Sequence, residues 1–460
     1  MKELKKYNRE NIINKRITVI GLGISGKAAS ILANHLGAIV YASDSNSSEE
    51  IISNAMELMR DHHIATETGI HSDKIYNSDL WIISPGVPSN SKIILEASNY
   101  NIPIVSEIEF ASWFTKFPCI GITGSNGKTT TTYILNQIFQ KSKTVGIIGG
   151  NIGIPFSECI LKEIIYPSKN LVYLLEISSF QLEFISSFCP YIAIYTNISE
   201  DHLDRHVSMQ EYVKMKIRLV QNFKKNNTVI YNEDDDALKA IFHNSSLKKL
   251  TYGIKSLNHI FYVKDDAIYH SSSNTLIIQI KDLKLKGKHN LSNFLAAATC
   301  ADIYGIKIEN IKNVLKTFKG IPHRIEYVST IMEVDYINDS KATNINSVIV
   351  ALKTYNKPVI LLLGGVNKGS NFKLLLPHIK YNNVKTILAY GEAGEQIKSA
   401  IGDAVRLFIM KDLNSAVKKA HSIAQPGDNV ILSPGCASFD QFKNFEDRGN
   451  FFKSTVRELT

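Results

Sequence analysis

Long hydrophobic runs are absent from the sequence. No stretch of its 460 residues approaches the roughly 18 consecutive apolar residues that a membrane-spanning helix needs. The opening segment, MKELKKYNRE, carries charge without an apolar run behind it, so it does not resemble a secretory signal. We therefore expect a protein with no membrane partner.

Cysteine is scarce as well, with five residues in the whole chain. The number is odd, and no two of these cysteines have the spacing of metal ligands. Both observations argue against a disulfide framework and favour a reducing, cytoplasmic location.

Charge of one sign is not concentrated anywhere. Lys and Arg number 52 against 43 Asp and Glu, which gives a net charge of +9 and a mild preference for anionic ligands. Since no basic run reaches five residues, we expect no nucleic-acid partner. Lys284, Lys286 and Lys288 alternate in the sequence, which predicts a charged edge strand rather than a binding stripe.

The overall composition, with 44% hydrophobic and 21% charged residues, is typical of a soluble globular protein. At roughly 100–200 residues per domain, the length predicts two to four domains. Short β-branched runs alternate with helical patterns, which indicates parallel α/β domains. The predicted strands are residues 16–23, 38–44, 80–86 and 102–106, then 119–124, 144–150, 171–178 and 191–197, then 358–365, 385–391, 405–410 and 429–435. A hairpin-like stretch at roughly 250–286, a helix over 293–305 and a linker over 319–324 separate the second and third groups.

A glycine-rich turn, Gly21-Leu22-Gly23-Ile24-Ser25-Gly26, follows the first strand and opens a helix, and Asp44 ends the next strand. Such glycines let the backbone approach a diphosphate at a helix N-terminus, and the acid holds a ribose. The diphosphate of a nicotinamide dinucleotide or of a UDP-sugar fits this motif equally well. A tight turn without a ligand is the alternative.

A second loop, TGSNGKTT at residues 123–130, connects a strand to the helix TTTYILNQIFQ. Backbone amides of such a loop cradle phosphates, Lys128 reaches the β/γ-phosphates, and a Thr hydroxyl binds Mg²⁺. The general pattern has Gly where this chain has Ile122, but the Gly-Lys-Thr core is intact and predicts ATP binding. A dehydrogenase does not need this second loop, and a simple ATPase does not need the first. Together they suggest that ATP activates one bound substrate for attack by another.

Polar clusters follow several further strands, where α/β sheets place their ligands. Glu176 ends a strand and is a candidate Mg²⁺ ligand. The segment SEDHLDRH at 199–206 is acidic and rich in histidine, although a solvated helix cap would also explain it. Lys216 shares a helical face with Tyr212 and Leu219, a position at which a lysine normally reaches to solvent. In the third group, the loops NDSKATN (338–344), GGVNKG (364–369) and SPGCAS (433–438) each end a strand.

These motifs together resemble the ATP-dependent Mur ligases of peptidoglycan synthesis, from about Ile17 to about Leu459. The matching segments are TGSNGKTT, GNIG at 150–153, LEISSFQLE, NISEDHLDRH, GKHNLSNFLAA, HRIE at 323–326, NDSKATN, LLLGG with Lys368, and LSPGCASFDQFKNFEDRG. SSFQLE, NDSKATN and CASFDQF point to the members that add D-glutamate. The ATP loop by itself would also match folylpolyglutamate synthase.

The resemblance implies an α/β fold of three domains: a Rossmann-like UDP-binding domain (1–112), a central P-loop ATPase-like domain (113–320) and a C-terminal Rossmann-like domain (321–460). It implies a monomer that joins D-glutamate to UDP-N-acetylmuramoyl-L-alanine. ATP phosphorylates the alanyl carboxylate, the amine of D-glutamate attacks the acyl phosphate, and amide, ADP and phosphate are released. Positioning and charge neutralisation carry such a reaction, and no side-chain nucleophile is needed.

The resemblance also assigns residues. The catalytic set comprises Lys128, Glu176, His202 and Lys216, and two Mg²⁺ ions are held by Thr129, Glu176, His202 and Lys216, the last as a carbamate. ATP is bound by Gly124, Ser125, Asn126, Gly127, Lys128, Thr129, Thr130, Asn151, His289, Asn290, Asn293, Arg324 and Asp339. The UDP-sugar is bound by Ile24, Ser25, Asp44, Ser45, Ser84, Pro85 and Gly86, and D-glutamate by Thr343, Lys368, Ser438 and Phe445.

The chain departs from the family pattern in the third-domain loop, at Val366, Asn367 and Asn371, where the family often has an acidic residue at the last of these positions. Three alternatives stay open at this stage. They are a family member that adds another amino acid, a non-catalytic UDP-sugar or nucleotide-binding regulator, and a nicotinamide dehydrogenase based on the first glycine motif alone.

Overall fold

The computed structural model describes residues 7–199, 208–272, 274–355, 357–367 and 369–459. The chain divides into two compact units, Met1–Phe318 and Lys319–Thr460. The division falls at the start of the predicted linker. Within the described ranges, no helix combines the length and the apolar character needed to cross a bilayer.

The first sheet of the larger unit has five parallel strands in the order β3-β2-β1-β4-β5. Strand β1 is the middle strand of this sheet, and four of its five residues are buried, as expected for the centre of a doubly wound sheet. The elements are β1 Arg16–Ile20, α1 Ile24–His35, β2 Ile39–Asp44, α2 Glu49–His62, β3 Ala65–Thr68, β4 Leu80–Ile83, α3 Lys92–Ala97, β5 Ile104–Ser106 and α4 Glu107–Ser112.

The second sheet has six parallel strands in the order β11-β10-β9-β6-β8-β7. Strands β6 and β8 are buried along their whole length, which explains their continuous apolar sequences. The elements are β6 Cys119–Thr123, α5 Lys128–Gln140, β7 Val145–Gly150, α6 Phe156–Ile165, β8 Leu171–Glu176, β9 Ile192–Tyr195, α7 Met209–Ile217, β10 Thr228–Asn232, α8 Asp236–Phe242 and β11 Lys249–Tyr252.

A small antiparallel sheet and two helices complete the larger unit. They are β12 Phe261–Lys264, β13 Ala267–His270, β14 Thr275–Gln279, α9 Lys288–Ile303 and α10 Ile308–Thr317. The antiparallel sheet confirms the predicted hairpin-like stretch. The predicted edge strand at 284–288 is wrong: residues 283–287 form no strand and Lys288 begins α9, since helix packing and not alternating charge decides the local structure.

The smaller unit is built on a six-stranded sheet in the order β15-β16-β20-β17-β18-β19, parallel except for the antiparallel pair β15–β16. Two buried apolar clusters cover its two faces. The elements are β15 Glu326–Ile331, β16 Val334–Asn338, α11 Ile345–Thr354, β17 Val359–Gly364, α12 Leu376–Tyr381, β18 Val384–Tyr390, α13 Gly394–Ile401, β19 Arg406–Met410, α14 Leu413–Ile423, β20 Asn429–Leu432 and α15 Phe445–Arg457.

Candidate active site

The loop between β6 and α5 has the geometry of a phosphate cradle. Gly124 and Gly127 both have positive φ angles, +144° and +83°. A Cβ atom would lie 1.9 Å from Thr196 Oγ1 at the first position and 2.4 Å from Asn293 Oδ1 at the second, so both positions require glycine. The turn directs the loop into the N-terminus of a 13-residue helix, whose free amides and dipole favour an anion.

Neighbouring strands brace this loop. Ser125 donates its backbone N–H to Asn197 O at 2.9 Å, and its hydroxyl donates to Ser199 O at 2.8 Å. The backbone N–H of Asn126 donates to Asn197 Oδ1 at 2.9 Å. Asn197 follows β9, so the end of that strand fixes the shape of the phosphate loop. Thr129 is buried in the first turn of α5, and Thr130 beside it is half-buried.

Two lysines converge on one carbonyl oxygen of the loop. Lys128 Nζ donates to Gly124 O and Ser125 O, both at 2.8 Å, and Lys216 Nζ donates to Gly124 O at 3.0 Å. Lys216 is only 1% exposed and lies 4.6 Å from the centre of the Tyr212 ring. Lys216 therefore does not reach solvent, because the face that it shares with Tyr212 and Leu219 is buried. Two ammonium groups around one oxygen favour an anionic ligand between them.

Glu176 ends β8 next to this loop, since Ile122 and Glu176 are register partners on β6 and β8. Its Oε1 accepts a hydrogen bond from Asn151 Nδ2 at 2.8 Å. Its Oε2 is buried and has no hydrogen-bond partner in the described structure. A buried carboxylate oxygen without a donor is costly unless a cation completes it, so this atom fits the predicted Mg²⁺ ligand. His202, the other predicted histidine ligand, lies outside the described residues.

The N-terminal part of α9 contains three of the residues predicted near ATP: His289, Asn290 and Asn293. Asn293 is buried against the phosphate loop and accepts from Thr131 Oγ1 at 3.4 Å. Asn290 is buried too and donates to Lys286 O at 2.7 Å, whereas His289 is exposed. Of the three side chains, the structure places that of Asn293 directly on the loop.

A cleft of about 740 Å³ opens between the first sheet and the second. All seven residues predicted for the UDP-sugar line it, together with Asn151; the seven are Ile24, Ser25, Asp44, Ser45, Ser84, Pro85 and Gly86. The Ile24 side chain is 67% exposed at the wall of this cleft, although it is apolar. The cleft therefore joins the glycine turn to Asn151, which holds Glu176.

Asp44 has a structural role in this cleft. Its Oδ2 accepts from the backbone N–H of Leu22 at 2.7 Å, and its Oδ1 accepts from the N–H of Asn46 at 2.8 Å. The carboxylate thus fixes the glycine turn as well as lining the cleft. Sequence reasoning assigned no role to several further cleft residues: Asn46, Glu50, His71 and Lys92 stand outside the matching segments, and Gln181 stands within LEISSFQLE.

In the smaller unit, Asp339 is buried at the end of β16. It accepts from Ser433 Oγ at 2.8 Å and from the backbone N–H of Ile325 at 3.1 Å. Burial raises the pKa of this carboxyl to about 7, against the lowering effect of these bonds and of the Arg324 charge. Arg324 itself is exposed.

The loops predicted for D-glutamate meet at the same edge of this sheet. Ser340 Oγ donates to Phe445 O at 2.8 Å, and Gly435 N donates to Ala342 O at 2.8 Å. These bonds bring the 339–343 loop and the loop of Ser438 to the start of α15. Ser438 is buried and Thr343 is exposed. Lys368 lies outside the described residues.

A buried arginine that sequence reasoning missed ties these loops together. Arg448 on α15 is fully buried and donates to Ser340 Oγ, Ser340 O and Cys436 O at 2.9–3.1 Å. Its position in FEDRGNFFK is typical of a surface helix, so the sequence carried no signal for this contact.

Three family models match successive parts of the chain. They are the MurD N-terminal domain over residues 16–93, the Mur ligase middle domain over 122–301, and the Mur ligase, glutamate ligase domain over 323–436. The matches follow the order of the three large sheets, and the middle match also covers the small antiparallel sheet.

Relatives of nearly the same length carry a ligase name. The chain is 37% identical to the UDP-N-acetylmuramoylalanine--D-glutamate ligase of Chlorobium chlorochromatii, over 98% of this chain and 100% of the relative. It is 38% identical to the protein of the same name from Koribacter versatilis, over 98% of each chain.

Solved structures share the fold at much lower identity. The UDP-N-acetylmuramate-alanine ligase MurC of Thermotoga maritima aligns with a TM-score of 0.54 at 18% identity, over 97% of this chain and 100% of that one. The MurF ligase of the same organism, in complex with ADP, aligns with a TM-score of 0.53 at 14% identity over the whole of both chains. With these findings the resemblance inferred from the motifs is confirmed: the chain belongs to the Mur ligase family and has its three-domain α/β fold.

Proposed function

We propose that this protein is an ATP-dependent ligase that adds D-glutamate to UDP-N-acetylmuramoyl-L-alanine in peptidoglycan precursor synthesis. The relatives at 37–38% identity are named for this reaction. The observation that carries the proposal is that, within the larger unit, one cleft leads from the glycine turn to the phosphate loop. The cleft begins at the glycine turn and ends at Asn151, whose side chain donates to Glu176 beside the phosphate loop.

The cleft is assigned to the UDP-sugar. A diphosphate at the N-terminus of α1 would meet the backbone of Gly23 and Ser25, and an exposed Ile24 side chain would be covered by the ligand. The substrate then extends towards Asn151 and the phosphate loop. This direction places the alanyl carboxylate, at the far end of the substrate, where phosphoryl transfer takes place.

The phosphate loop is assigned to ATP. Its backbone amides and Lys128 would bind the phosphates; Lys128 Nζ lies within the loop, where it donates to Gly124 O and Ser125 O. Glu176 and Thr129, with His202 and a carbamylated Lys216, would hold two Mg²⁺ ions. Magnesium supplies charge neutralisation for the transferring phosphoryl group.

The protein's part in the reaction is positioning. The cleft holds the acceptor carboxylate near the γ-phosphate, and the Lys128 charge offsets the negative charge that develops there. D-Glutamate is assigned to Thr343, Lys368, Ser438 and Phe445, with Arg324, Asp339, His289, Asn290 and Asn293 around ATP. The domains are proposed as residues 1–112, 113–320 and 321–460 of a cytoplasmic monomer.

The identity of the amino acid is the point to test. The protein, ATP, Mg²⁺ and UDP-N-acetylmuramoyl-L-alanine are incubated in turn with D-glutamate, L-glutamate, L-lysine and diaminopimelate, and the product mass is measured. We expect a mass increase with D-glutamate only. A product with L-lysine or diaminopimelate instead would assign the protein to a different step of the family's chemistry.

A further inference from the structure

His71 is a cleft residue that neither the glycine motif nor the resemblance singled out. It lines the cleft, is half-buried and precedes the short turn that leads to β4. Its Nδ1 lies 2.7 Å from Ser43 Oγ, a fully buried hydroxyl at the end of β2. The same hydroxyl lies 2.7 Å from Glu67 Oε1.

The proton positions in this chain follow from counting donors. A serine hydroxyl has one hydrogen, and a carboxylate can only accept. Ser43 therefore donates to Glu67, and its oxygen accepts from His71, so the proton of the imidazole is on Nδ1. Ser72 adds two further donors to Glu67, its backbone N–H at 2.9 Å and its hydroxyl at 2.6 Å.

The charge states agree with this assignment. Burial alone would raise the pKa of Glu67, but the bonds from Ser72 and Ser43 bring it below the ordinary value, so the carboxylate is ionised. Burial lowers the pKa of His71 in spite of the nearby negative charges of Asp44 and Glu67, so the ring is neutral near pH 7. A neutral ring with its proton on Nδ1 has a bare Nε2.

The bare nitrogen is on the ring edge opposite Ser43, and it forms no hydrogen bond within the described ranges. The two oxygens of Asp44, its neighbour in the cleft, already accept backbone N–H groups of Leu22 and Asn46. Nε2 is thus an acceptor held in a fixed direction and available to a ligand with an N–H or O–H donor.

We propose that His71 accepts, through Nε2, a hydrogen bond from a donor on the nucleoside of the bound substrate. This inference rests on the proposed assignment of the cleft to a UDP-sugar. Such a nucleoside offers the N3–H of its base and the hydroxyls of its ribose. Ser43 and Glu67 act as positioning residues that set the tautomer.

The test measures by calorimetry how tightly protein variants bind UDP and analogues that each lack one donor. Binding of UDP is compared with binding of 3-methyl-UDP, which lacks the base donor, and of 2′-deoxy-UDP and 3′-deoxy-UDP, which each lack a ribose donor. Wild type, His71→Ala and the control His35→Ala are used; His35 is exposed at the far end of α1. In wild type and control we expect one analogue to bind about 3–10-fold more weakly than UDP, the cost of one hydrogen bond. In His71→Ala that difference should disappear.

If every analogue loses the same factor in wild type and His71→Ala, His71 has only a structural role and the inference is wrong, while the cleft assignment stands. If wild type does not bind UDP at all, the proposed function of the cleft fails with it. The tautomer is tested separately by ¹⁵N NMR of histidine-labelled protein near pH 7. We expect a protonated Nδ1 and a bare Nε2 for the signal that is missing in His71→Ala. The opposite tautomer, or an imidazolium, would overturn the inference without any ligand.

Discussion

The Lys216 side chain is buried next to a second lysine, Lys128. The residue is 1% exposed, and its Nζ donates to Gly124 O, the same oxygen that accepts from Lys128 Nζ. A buried cation beside another cation is unfavourable unless an anion joins them or the amine is modified. Carbamylation by CO₂ would turn the amine into an anion and reverse this repulsion.

Lys216→Ala is therefore expected to lose most of the ligase activity. Added acetate should restore part of it, because a small carboxylate can enter the space of the missing carbamate. Phosphate release with and without acetate measures both effects. The matched control is Lys214→Ala, an exposed lysine on the same helix. Full activity in Lys216→Ala, or equal acetate effects in both variants, would exclude the carbamate.

Glu176→Gln tests the metal site. The substitution keeps the side-chain size and an oxygen for the Asn151 bond, but it removes the negative charge from the buried Oε2. We expect turnover to fall on the order of 10²-fold or more, with a higher Mg²⁺ requirement and an unchanged melting temperature. Turnover measured over a Mg²⁺ series gives the answer; an unchanged Mg²⁺ dependence would remove Glu176 from the metal site.

The buried carboxyl of Glu107 is expected to make the stability of the protein depend on pH. It is buried at the start of α4, its Oε1 accepts from Ser157 N, and its Oε2 has no partner among the described residues. Burial raises its pKa from 4.5 to about 7. The folded state therefore binds this proton more tightly than the unfolded state, and stability falls as the pH rises from about 4.5 to about 7.

Between pH 5 and pH 8 this group should cost the wild type roughly 2 kcal/mol of unfolding free energy. Glu107→Gln should lack that loss, whereas Glu49→Gln, at an exposed position on α2, should retain it. Urea unfolding followed by tryptophan fluorescence is suitable, because Trp81 and Trp113, the chain's two tryptophans, flank Glu107 in the sequence. A pH dependence that is identical in all three proteins would contradict the account.

Helix α1 packs so closely on the preceding glycine turn that position 26 has no room for a side chain. A Cβ atom at Gly26 would lie 1.7 Å from Gly21 O, whereas one at Gly23 would meet nothing within 4 Å. Gly26→Ala must push α1 away from the turn, at a cost of about 1–3 kcal/mol or more. We expect its melting temperature to fall by several degrees and that of Gly23→Ala to stay within about one degree of wild type. Equal melting temperatures would show that α1 is not packed on its turn in this way.

The strands that position the site could be predicted from the sequence because they are buried on both faces. Runs such as LVYLLE at 171–176 and VILLLG at 359–364 have no polar alternation and match the observed strands closely. The edge strand β3, with the sequence ATET, has too few apolar residues to be found, and β11 has only four residues. β10, with TVIYN, carried a β-branched signal that was missed.

The site was predicted in the same uneven way. Lys128 and the seven cleft residues could be given a candidate role, because each lies in a short motif at the end of a strand. The contacts of Arg448 with Ser340 and of His71 with Ser43 could not be predicted, since these partners are more than 20 residues away in the sequence. A buried position for Lys216 needed the fold of α7 against the phosphate loop.

At the scale of the whole molecule, the division at Phe318–Lys319 separates two units with their own sheets and cores. Both fragments, residues 1–318 and 319–460, are expected to fold when produced alone, since each buries its own apolar clusters. Fragment 1–318 should bind UDP by calorimetry, and neither fragment should make product. A fragment 319–460 without a cooperative thermal transition would contradict this independence.

In the proposed reaction, ATP is used only to join two bound substrates. Phosphate release from ATP measures it most directly, with UDP-N-acetylmuramoyl-L-alanine and D-glutamate supplied singly and together. We expect sustained release only when both are present, and its loss in Lys128→Ala, which removes the charge proposed to meet the transferring phosphoryl group. Release that is independent of either substrate, or near-normal release in Lys128→Ala, would contradict it.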